Sequence, residues 1–289
     1  MTGLAIDIGA SKIAVALVTE QGVLLEQQSL PTRQDQNSED LYTSLYKVAR
    51  SLQETCNEGV AWCGVGCAGP LDLTRGLVSP INIPAWNAFS LRERLEQDFS
   101  VPVALDLDAK ALALGEGWRG AAQGVDNYMA MVVSSGIGAG IVVDGHILDG
   151  RTGNAGHIGH IVAVPGGRRC VCGVAGCLEA EASGLAILAK TGRPPRQAVP
   201  SLRQEVGRLV GETVAQVVTV LDLELVLVAG SVALGFGQDF FDSAQAALSS
   251  HLGMPYAQGV QIRPVGLGAS APLIGAASIA RAQGLFGQQ

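Results

Sequence analysis

A histidine and three cysteines stand close together in the second half of the sequence, at His160, Cys170, Cys172 and Cys177. Three thiolates and one imidazole form the donor set of a closed, four-coordinate structural zinc site. Glycines at positions 166, 167, 173 and 176 let the backbone turn tightly around such a site, and the acidic Glu179 follows. The spacing therefore predicts a structural zinc site, with a reduced, buried cysteine cluster as the alternative.

The N-terminal residues combine a carboxylate, a hydroxyl and an ammonium around a glycine-containing turn. Two apolar runs, Leu4–Ile6 and Ile13–Val18, flank the sequence DIGASK, which is the pattern of a β-hairpin. In the tip, Asp7 suits a hydrated magnesium ion, while backbone N–H groups and Lys12 suit phosphate oxygens. Taken alone, the same pattern fits an ordinary hairpin turn equally well.

A second tip of this kind lies far along the chain. Apolar runs at 129–133 and 141–143 surround Ser134–Gly140, which predicts strand, turn and strand. Two such tips could bind one polyphosphate from opposite sides. A third apolar run, Leu225–Val228, ends at small residues that include Gly230 and Ser231, where a base or ribose could lie against the backbone.

Helical periodicity fills the stretches between these strands. Apolar residues recur at three-to-four spacing in Ser38–Leu52, Ser90–Phe99, Asp108–Trp118, Leu202–Leu221 and Ala269–Gln283. Ser38 and Asp108 are predicted as N-caps. Strands alternating with helices give the α/β class, and the two similar halves indicate an internal duplication. We expect two domains, 1–117 and 118–274, with the segment near 275–289 packing back on the first.

Composition limits the classes of partner. The chain has 289 residues, of which 48% are hydrophobic and 16% charged, with a net charge of −7. An acidic chain can hardly supply the basic face that nucleic acid or an anionic membrane would need. Its longest uncharged stretch, Tyr128–Val143, is shorter than the ~20 apolar residues of a membrane span. Six cysteines without a signal peptide predict a reducing, cytoplasmic location.

These motifs resemble, over nearly the whole chain, those of the ROK family (repressor, open reading frame, kinase) in the actin-like and hexokinase-like ATPase superfamily. DIGASK resembles the first phosphate motif, SSGIGAGI the second, VLVAGSV the adenosine motif, and GHIGH followed by CVCGVAGCLE the zinc signature. The resemblance implies a two-domain actin-like (ribonuclease H-like) α/β fold with an interdomain cleft. We also expect a homodimer or higher homo-oligomer. Repressors of the family carry an added N-terminal DNA-binding segment. We expect none here, because the phosphate loop begins at Asp7.

Asp108 matches the catalytic carboxylate of the family, in a motif that runs from Leu107-Asp108-Ala109-Lys110 to Gly115-Glu116. The resemblance thus implies that Asp108 is the general base, and phosphoryl transfer to a sugar hydroxyl does need a proton acceptor. As a plain N-cap, Asp108 would need no such role. Asp106 is a nearby competitor, but strand alternation from Val103 places it on a different face.

Two positions depart from the family pattern. Leu107 replaces the asparagine that usually precedes the base, and it cannot hydrogen-bond a sugar hydroxyl. His157 replaces the glutamate of the E-x-G-H motif, as in bacterial N-acetylmannosamine kinases, whereas glucokinases of the family usually keep glutamate. The imidazole could make room for a substituent at the second carbon of the sugar. Alternatively, it is tolerated because His160 and Glu179 still bind the sugar.

The residues and the resemblance together predict an ATP-dependent kinase for the 6-hydroxyl of a hexose or N-acyl-hexosamine, with glucose and N-acetylmannosamine as candidates. Its cofactors would be ATP, Mg²⁺ and a structural Zn²⁺. The predicted sugar-binding residues are Gly69, Asn82, His157, His160 and Glu179. The predicted ATP- and phosphate-binding residues are Asp7, Gly9, Ser11, Lys12, Ser134, Ser135, Gly136, Gly138, Gly230 and Ser231. The alternative is a non-catalytic sugar sensor of the same fold, which Leu107 suggests. The acidic net charge disfavours polyphosphate as the donor.

Overall fold

A computed structural model of the chain describes residues 1–9, 11–32 and 36–287. Ala10, inside the first predicted phosphate loop, lies outside the described residues. The strands are β1 Thr2–Ile8, β2 Lys12–Thr19, β3 Leu24–Pro31, β4 Cys63–Cys67, β5 Leu71–Asp72, β6 Leu77–Val78, β7 Val103–Leu107, β8 Tyr128–Val133, β9 Ile137–Val143, β10 His146–Ile147, β11 Leu225–Ala229 and β12 Gln261–Pro264. The helices are α1 Ser38–Thr55, α2 Leu91–Phe99, α3 Asp108–Arg119, α4 Leu178–Ala182, α5 Gly184–Thr191, α6 Pro200–Leu221, α7 Ser231–Phe236, α8 Gln238–His251 and α9 Ala271–Ala282.

The chain divides into two compact units. Unit 1 consists of Met1–Gln123, Asp149–Ala155 and Gly266–Gln289, and unit 2 of Gly124–Leu148 and Gly156–Val265. Helix α9 therefore belongs to unit 1, although it comes last in the sequence. The class is α/β in both units.

Unit 1 is built on one mixed sheet with the strand order β3-β2-β1-β4-β7. The first three strands form an antiparallel meander, and β1, β4 and β7 run parallel. Leu4, Ile6 and Ile8 of β1 face a core shared with α1 and α2, while Ala5 faces a second core against α9. Because β1, β4 and β7 are parallel, their carboxyl ends meet at one edge of the sheet, where Asp7 and Asp108 lie.

Unit 2 repeats this architecture. Its sheet has the order β10-β9-β8-β11-β12, again with an antiparallel meander followed by parallel strands. The core contains Met129, Met131 and Val133 of β8 and the apolar faces of α6 and α8. The predicted duplication is confirmed at the level of strand order and direction.

Several predicted boundaries are wrong in detail. Asn37, not Ser38, caps α1, because the Asn37 side chain accepts a hydrogen bond from the Asp40 N–H at 2.9 Å. The N-cap of α3 is Leu107, so Asp108 is the first helical residue. The second predicted turn is shorter than Ser134–Gly140, since β9 already begins at Ile137, opposite Val133. Helices α4, α5, α7 and α8 were not predicted.

None of the six cysteines, which all lie among the described residues, forms a disulfide. Within the described part of the chain, no helix is both long enough and apolar enough to span a bilayer.

Candidate active site and metal cluster

Asp7 and Asp108 form an acidic pair at the carboxyl edge of the unit 1 sheet. Asp7 is in register with Gly66 of β4, and a Cβ at Gly66 would lie 3.8 Å from Asp7 Oδ1 and 3.6 Å from Asp108 Cα. Burial, and next the like charge of Asp108, raise the pKa of Asp7 to about 7, an effect that Lys12 opposes. Two carboxylates in partial burial fit a divalent cation, which would compensate both charges.

Two hydrogen bonds to the backbone of Gly9 fix the end of the first hairpin. The Gly9 N–H donates to the Lys12 carbonyl at 3.0 Å, and the Thr32 hydroxyl donates to the Gly9 carbonyl at 3.0 Å. Ser11 and Lys12 are exposed. The structure thus brings Gly9, Ser11 and Lys12 to the same edge as Asp7, with an ammonium available to an anionic group.

Asp108 stands at the junction between β7 and α3. Its Oδ1 accepts a hydrogen bond from the Ala109 N–H at 2.7 Å, which orients the carboxylate at the start of the helix. Asp106, the predicted competitor, is buried, and its Oδ1 lies 3.3 Å from the Lys110 Nζ. Asp106 is therefore engaged by a cation, whereas Asp108 is half-buried at the sheet edge.

Gly69 and Asn82 lie on neighbouring loops of unit 1. The Gly69–Pro70 peptide bond is cis, and the Gly69 carbonyl accepts a hydrogen bond from the Ile81 N–H at 3.2 Å. Asn82 is half-buried beside this contact. The two positions are thus close in the fold, as their shared predicted role requires.

In unit 2, the predicted phosphate loop meets the start of α7. Ser134 Oγ lies 3.0 Å from Ser231 Oγ, and the Ser134 carbonyl accepts from the Gly184 N–H at 2.7 Å. Gly230 has φ 102°, and a Cβ there would collide with the Val133 carbonyl, so the position requires glycine. Ser134, Gly230 and Ser231 are therefore adjacent, although they are far apart in the sequence. Gly138, in contrast, lies inside strand β9.

The four predicted metal ligands converge, with their ligand atoms all within 4.8 Å of one another. His160 Nδ1 lies 3.5 Å from Cys170 Sγ, and Cys172 Sγ lies 3.6 Å from Cys177 Sγ. In tetrahedral zinc sites, bonds of about 2.3 Å to sulfur and 2.0–2.1 Å to nitrogen place ligand atoms about 3.5–3.8 Å apart. The donor set and its spacing therefore fit zinc.

The thiols of the cluster differ in acidity. Burial raises the pKa of Cys177 to about 12, whereas a backbone hydrogen bond at Val174 lowers the pKa of the exposed Cys172. Because zinc binds thiolates rather than thiols, zinc binding at this cluster would have to remove the proton from Cys177.

Glu179 and His157 flank the four ligands of this cluster in the sequence. Glu179 is in the first turn of α4, whose N-cap is Cys177, and its Oε2 accepts from the Ile137 N–H at 2.9 Å. The exposed His157 ring lies nearly parallel to the His160 ring, with centroids 6.1 Å apart. The cluster thus fixes the backbone that presents His157, His160 and Glu179.

Lys110 and Glu116 are both fully buried charged residues of α3, and the sequence motif around Asp108 contains them without indicating a role for either. Glu116 accepts hydrogen bonds from the N–H groups of Ala121, Gly266 and Leu267 at 2.8, 2.9 and 3.0 Å. The one sign of a buried charge in the sequence is that Lys110 interrupts the otherwise apolar run 109–114.

Comparison with known proteins identifies related chains. The sequence pattern of the ROK family matches residues 3–283. The chain is 36% identical over 187 residues to a glucokinase of Thermotoga maritima, a match that covers 64% of this chain and 58% of that enzyme. It is 33% identical over 254 residues to an N-acetylmannosamine kinase of Escherichia fergusonii, covering 82% and 85% of the two chains.

Solved structures match the fold as well. A ROK family glucokinase from Streptomyces griseus, in complex with glucose and AMPPNP, superimposes with a TM-score of 0.84 at 28% identity. The match covers 98% of this chain and all of that one (100%). The fold is that of the actin-like ATPases.

Proposed function

Because the chain belongs to the ROK family, we propose that it is an ATP-dependent sugar kinase acting on the 6-hydroxyl of a hexose or N-acyl-hexosamine. The observation that carries the proposal is the placement of Asp108 beside Asp7 at the carboxyl edge of the unit 1 sheet. Such a pair supplies a proton acceptor for the sugar hydroxyl and a carboxylate for the metal of the nucleotide. Relatives named glucokinase and N-acetylmannosamine kinase support this class of reaction.

Asp108 acts as the general base. The hydrogen bond from the Ala109 N–H, at 2.7 Å, orients the carboxylate at the start of α3, where it would accept the proton of the attacking hydroxyl. Asp7 is the residue that would hold Mg²⁺, whose charge, when it is bound, offsets that of the phosphates. Lys12, exposed at the same edge, contributes a further positive charge.

The remaining predicted residues divide into a nucleotide group and a sugar group. Gly9 and Ser11 of unit 1, and Ser134, Ser135, Gly136 and Gly138 of unit 2, would bind the phosphates, with Gly230 and Ser231 at the nucleoside. Gly69, Asn82, His157, His160 and Glu179 would bind the sugar. His160 has Nδ1 in the cysteine cluster, so its Nε2 is the nitrogen that a sugar hydroxyl would meet. A structural zinc ion would fix this orientation.

The test is ADP release by the purified protein with ATP, Mg²⁺ and a panel that includes glucose, N-acetylmannosamine and their epimers. In the same assay, Asp108→Asn should lower kcat by ~10² or more, because it removes the proton acceptor and keeps the side-chain size. Sugar affinity should change little. Asp242→Asn, an exposed position on α8, is the matched control. A raised KM with near-normal kcat would make Asp108 a binding residue instead.

A non-catalytic sugar sensor is the second candidate, because of one observation. Leu107, next to Asp108, is buried in the apolar core of unit 1, so it offers the sugar no hydrogen bond. If the protein is a sensor, calorimetry should detect sugar binding, and no sugar of the panel should cause ADP release from ATP. If the protein is a kinase, at least one sugar of the panel should be phosphorylated.

A further inference from the structure

Lys110 is a fully buried cation in the first turn of α3. Its ammonium lies 2.6 Å from Asp149 Oδ1 and 3.3 Å from Asp106 Oδ1, with a side-chain exposure of 0%. Taking an ammonium out of water is costly, and a hydrophobic side chain of similar volume often gives equal or greater stability. Stability alone therefore does not account for a lysine at this position.

The ion pairs surround the junction that carries Asp108. Asp106 lies two residues before Asp108 and Lys110 two residues after it. Asp106 Oδ1 also accepts a hydrogen bond from the Leu107 N–H at 2.8 Å. The N-cap Leu107 has no polar side chain to cap the helix, so these contacts fix the backbone where β7 becomes α3.

Asp149 connects this junction to a second fixed point of unit 1. It begins the segment Asp149–Ala155, which belongs to unit 1. Near the other end, Asn154 donates to the Leu71 carbonyl at 3.0 Å and accepts from the Leu71 N–H at 3.2 Å. Lys110 thus ties the start of α3 to a segment that is itself anchored on β5.

We propose that Lys110 is a positioning residue for Asp108, acting through Asp106 and Asp149. The role rests on the proposed kinase reaction with Asp108 as its base. A general base must be held within a fraction of an ångström of its productive position, and small displacements reduce turnover strongly. The buried lysine supplies that restraint from within the protein, without touching the substrate.

Two variants test the role. Lys110→Met keeps the length of the side chain and removes its charge, and it should lower kcat about tenfold with KM for ATP and sugar within about twofold. Asp149→Asn should lower kcat about threefold. Asp149 is 59% exposed, so the second variant should fold even if the first does not. Lys190→Met, which breaks a 3.0 Å surface ion pair with Glu205, is the matched control and should leave kcat unchanged.

A double-mutant cycle separates positioning from a general loss of stability. In an Asp108→Asn background, Asp149→Asn should have no further effect on kcat, because no base remains to be positioned. An equal loss of kcat in both backgrounds, a raised KM at unchanged kcat, or wild-type kinetics of Asp149→Asn would overturn the positioning role alone. A wild-type protein that phosphorylates no sugar would overturn the kinase proposal together with it.

Discussion

Asp7 is a carboxyl group whose environment disfavours its charge. Its pKa rises from 3.8 to about 7, chiefly through burial and then through Asp108. A raised folded-state pKa means that the folded protein binds the proton more tightly than the unfolded chain does. The stability that this proton contributes is complete below about pH 4 and is lost as the pH rises through 7.

We therefore expect Asp7→Asn to change how unfolding depends on pH. In magnesium-free buffer, the stability of the variant relative to wild type should increase between pH 4 and pH 8, because the asparagine never acquires the buried charge. Urea unfolding at a series of pH values measures this difference. Asp242→Asn, on the exposed face of α8, should show no such trend. A difference that is constant with pH would contradict the raised pKa.

His157 should select between sugars. Its exposed ring lies beside the His160 ring and offers an apolar face to an acetamido methyl group, whereas glutamate would accept hydrogen bonds from unsubstituted hydroxyls. His157→Glu should shift kcat/KM toward glucose and away from N-acetylmannosamine by about 1–3 kcal/mol.

Both sugars must be measured in both proteins, since a general loss of activity would imitate a changed preference. His146→Glu, at an exposed position on β10, is the matched control. Equal effects on the two sugars would show that His157 does not take part in selection.

At the scale of elements, the segment from His160 to Cys177, which holds the four predicted zinc ligands, should behave as a metal-dependent unit. We expect about one zinc per chain, and Cys172→Ala should release it and lower Tm, because metal binding and folding share free energy. Cys56→Ala, outside the cluster, should keep the metal. Metal analysis and thermal unfolding of the two variants decide this, and a metal-free wild-type protein would contradict it.

The raised pKa of Cys177 should make the affinity for zinc depend on pH. Because the Cys177 thiol has a pKa raised to about 12, zinc must displace its proton at neutral pH. Zinc affinity should therefore increase from pH 6 to pH 8, with proton release detectable by calorimetry in buffers of different ionisation enthalpy. A pH-independent affinity would mean that Cys177 is not a ligand.

Elements with a strong local pattern could be predicted from the sequence. The hairpins at DIGASK and at 129–143, and helices α1, α2, α3, α6 and α9, have a periodicity that is set by local geometry. Short helices such as α4 and α7 carry too few turns to show it. Gly138 and Gly140 suggested a turn, but pairing with β8 draws them into β9, a contact that composition does not reveal. Asn37 and Ser38 are both residue types that cap helices, so their types alone do not show that Asn37 is the cap.

At the scale of the whole molecule, the candidate site could be predicted only where it follows motifs. Asp7, Asp108 and the four predicted metal ligands could be proposed from the sequence because each lies in a distinctive local motif. The partners of Glu116 at Gly266 and Leu267 are far away in the chain, and no local pattern connects them. Long-range contacts of this kind decide where the chain returns to unit 1 after leaving it.

Glu116 should therefore control the stability of unit 1. Its carboxylate accepts from three backbone N–H groups and is completely buried. In Glu116→Gln, the amide NH₂ must face at least one of these donors, which should cost about 2–3 kcal/mol. Glu58→Gln, at an exposed position in the same unit, is the control.

Tryptophan fluorescence can measure this effect in unit 1 alone, because Trp62, Trp86 and Trp118 all lie there. Trp62 and Trp118 contact the Phe286 ring, at 4.8 and 5.7 Å between centroids, just beyond α9. Glu116→Gln should lower the urea concentration at the midpoint of the fluorescence change, since the segment that begins at Gly266 is held less tightly. Cys172→Ala, in unit 2, should change the circular dichroism but leave the native tryptophan emission unaltered. An unmoved fluorescence midpoint in Glu116→Gln would show that its three hydrogen bonds do not hold the returning chain.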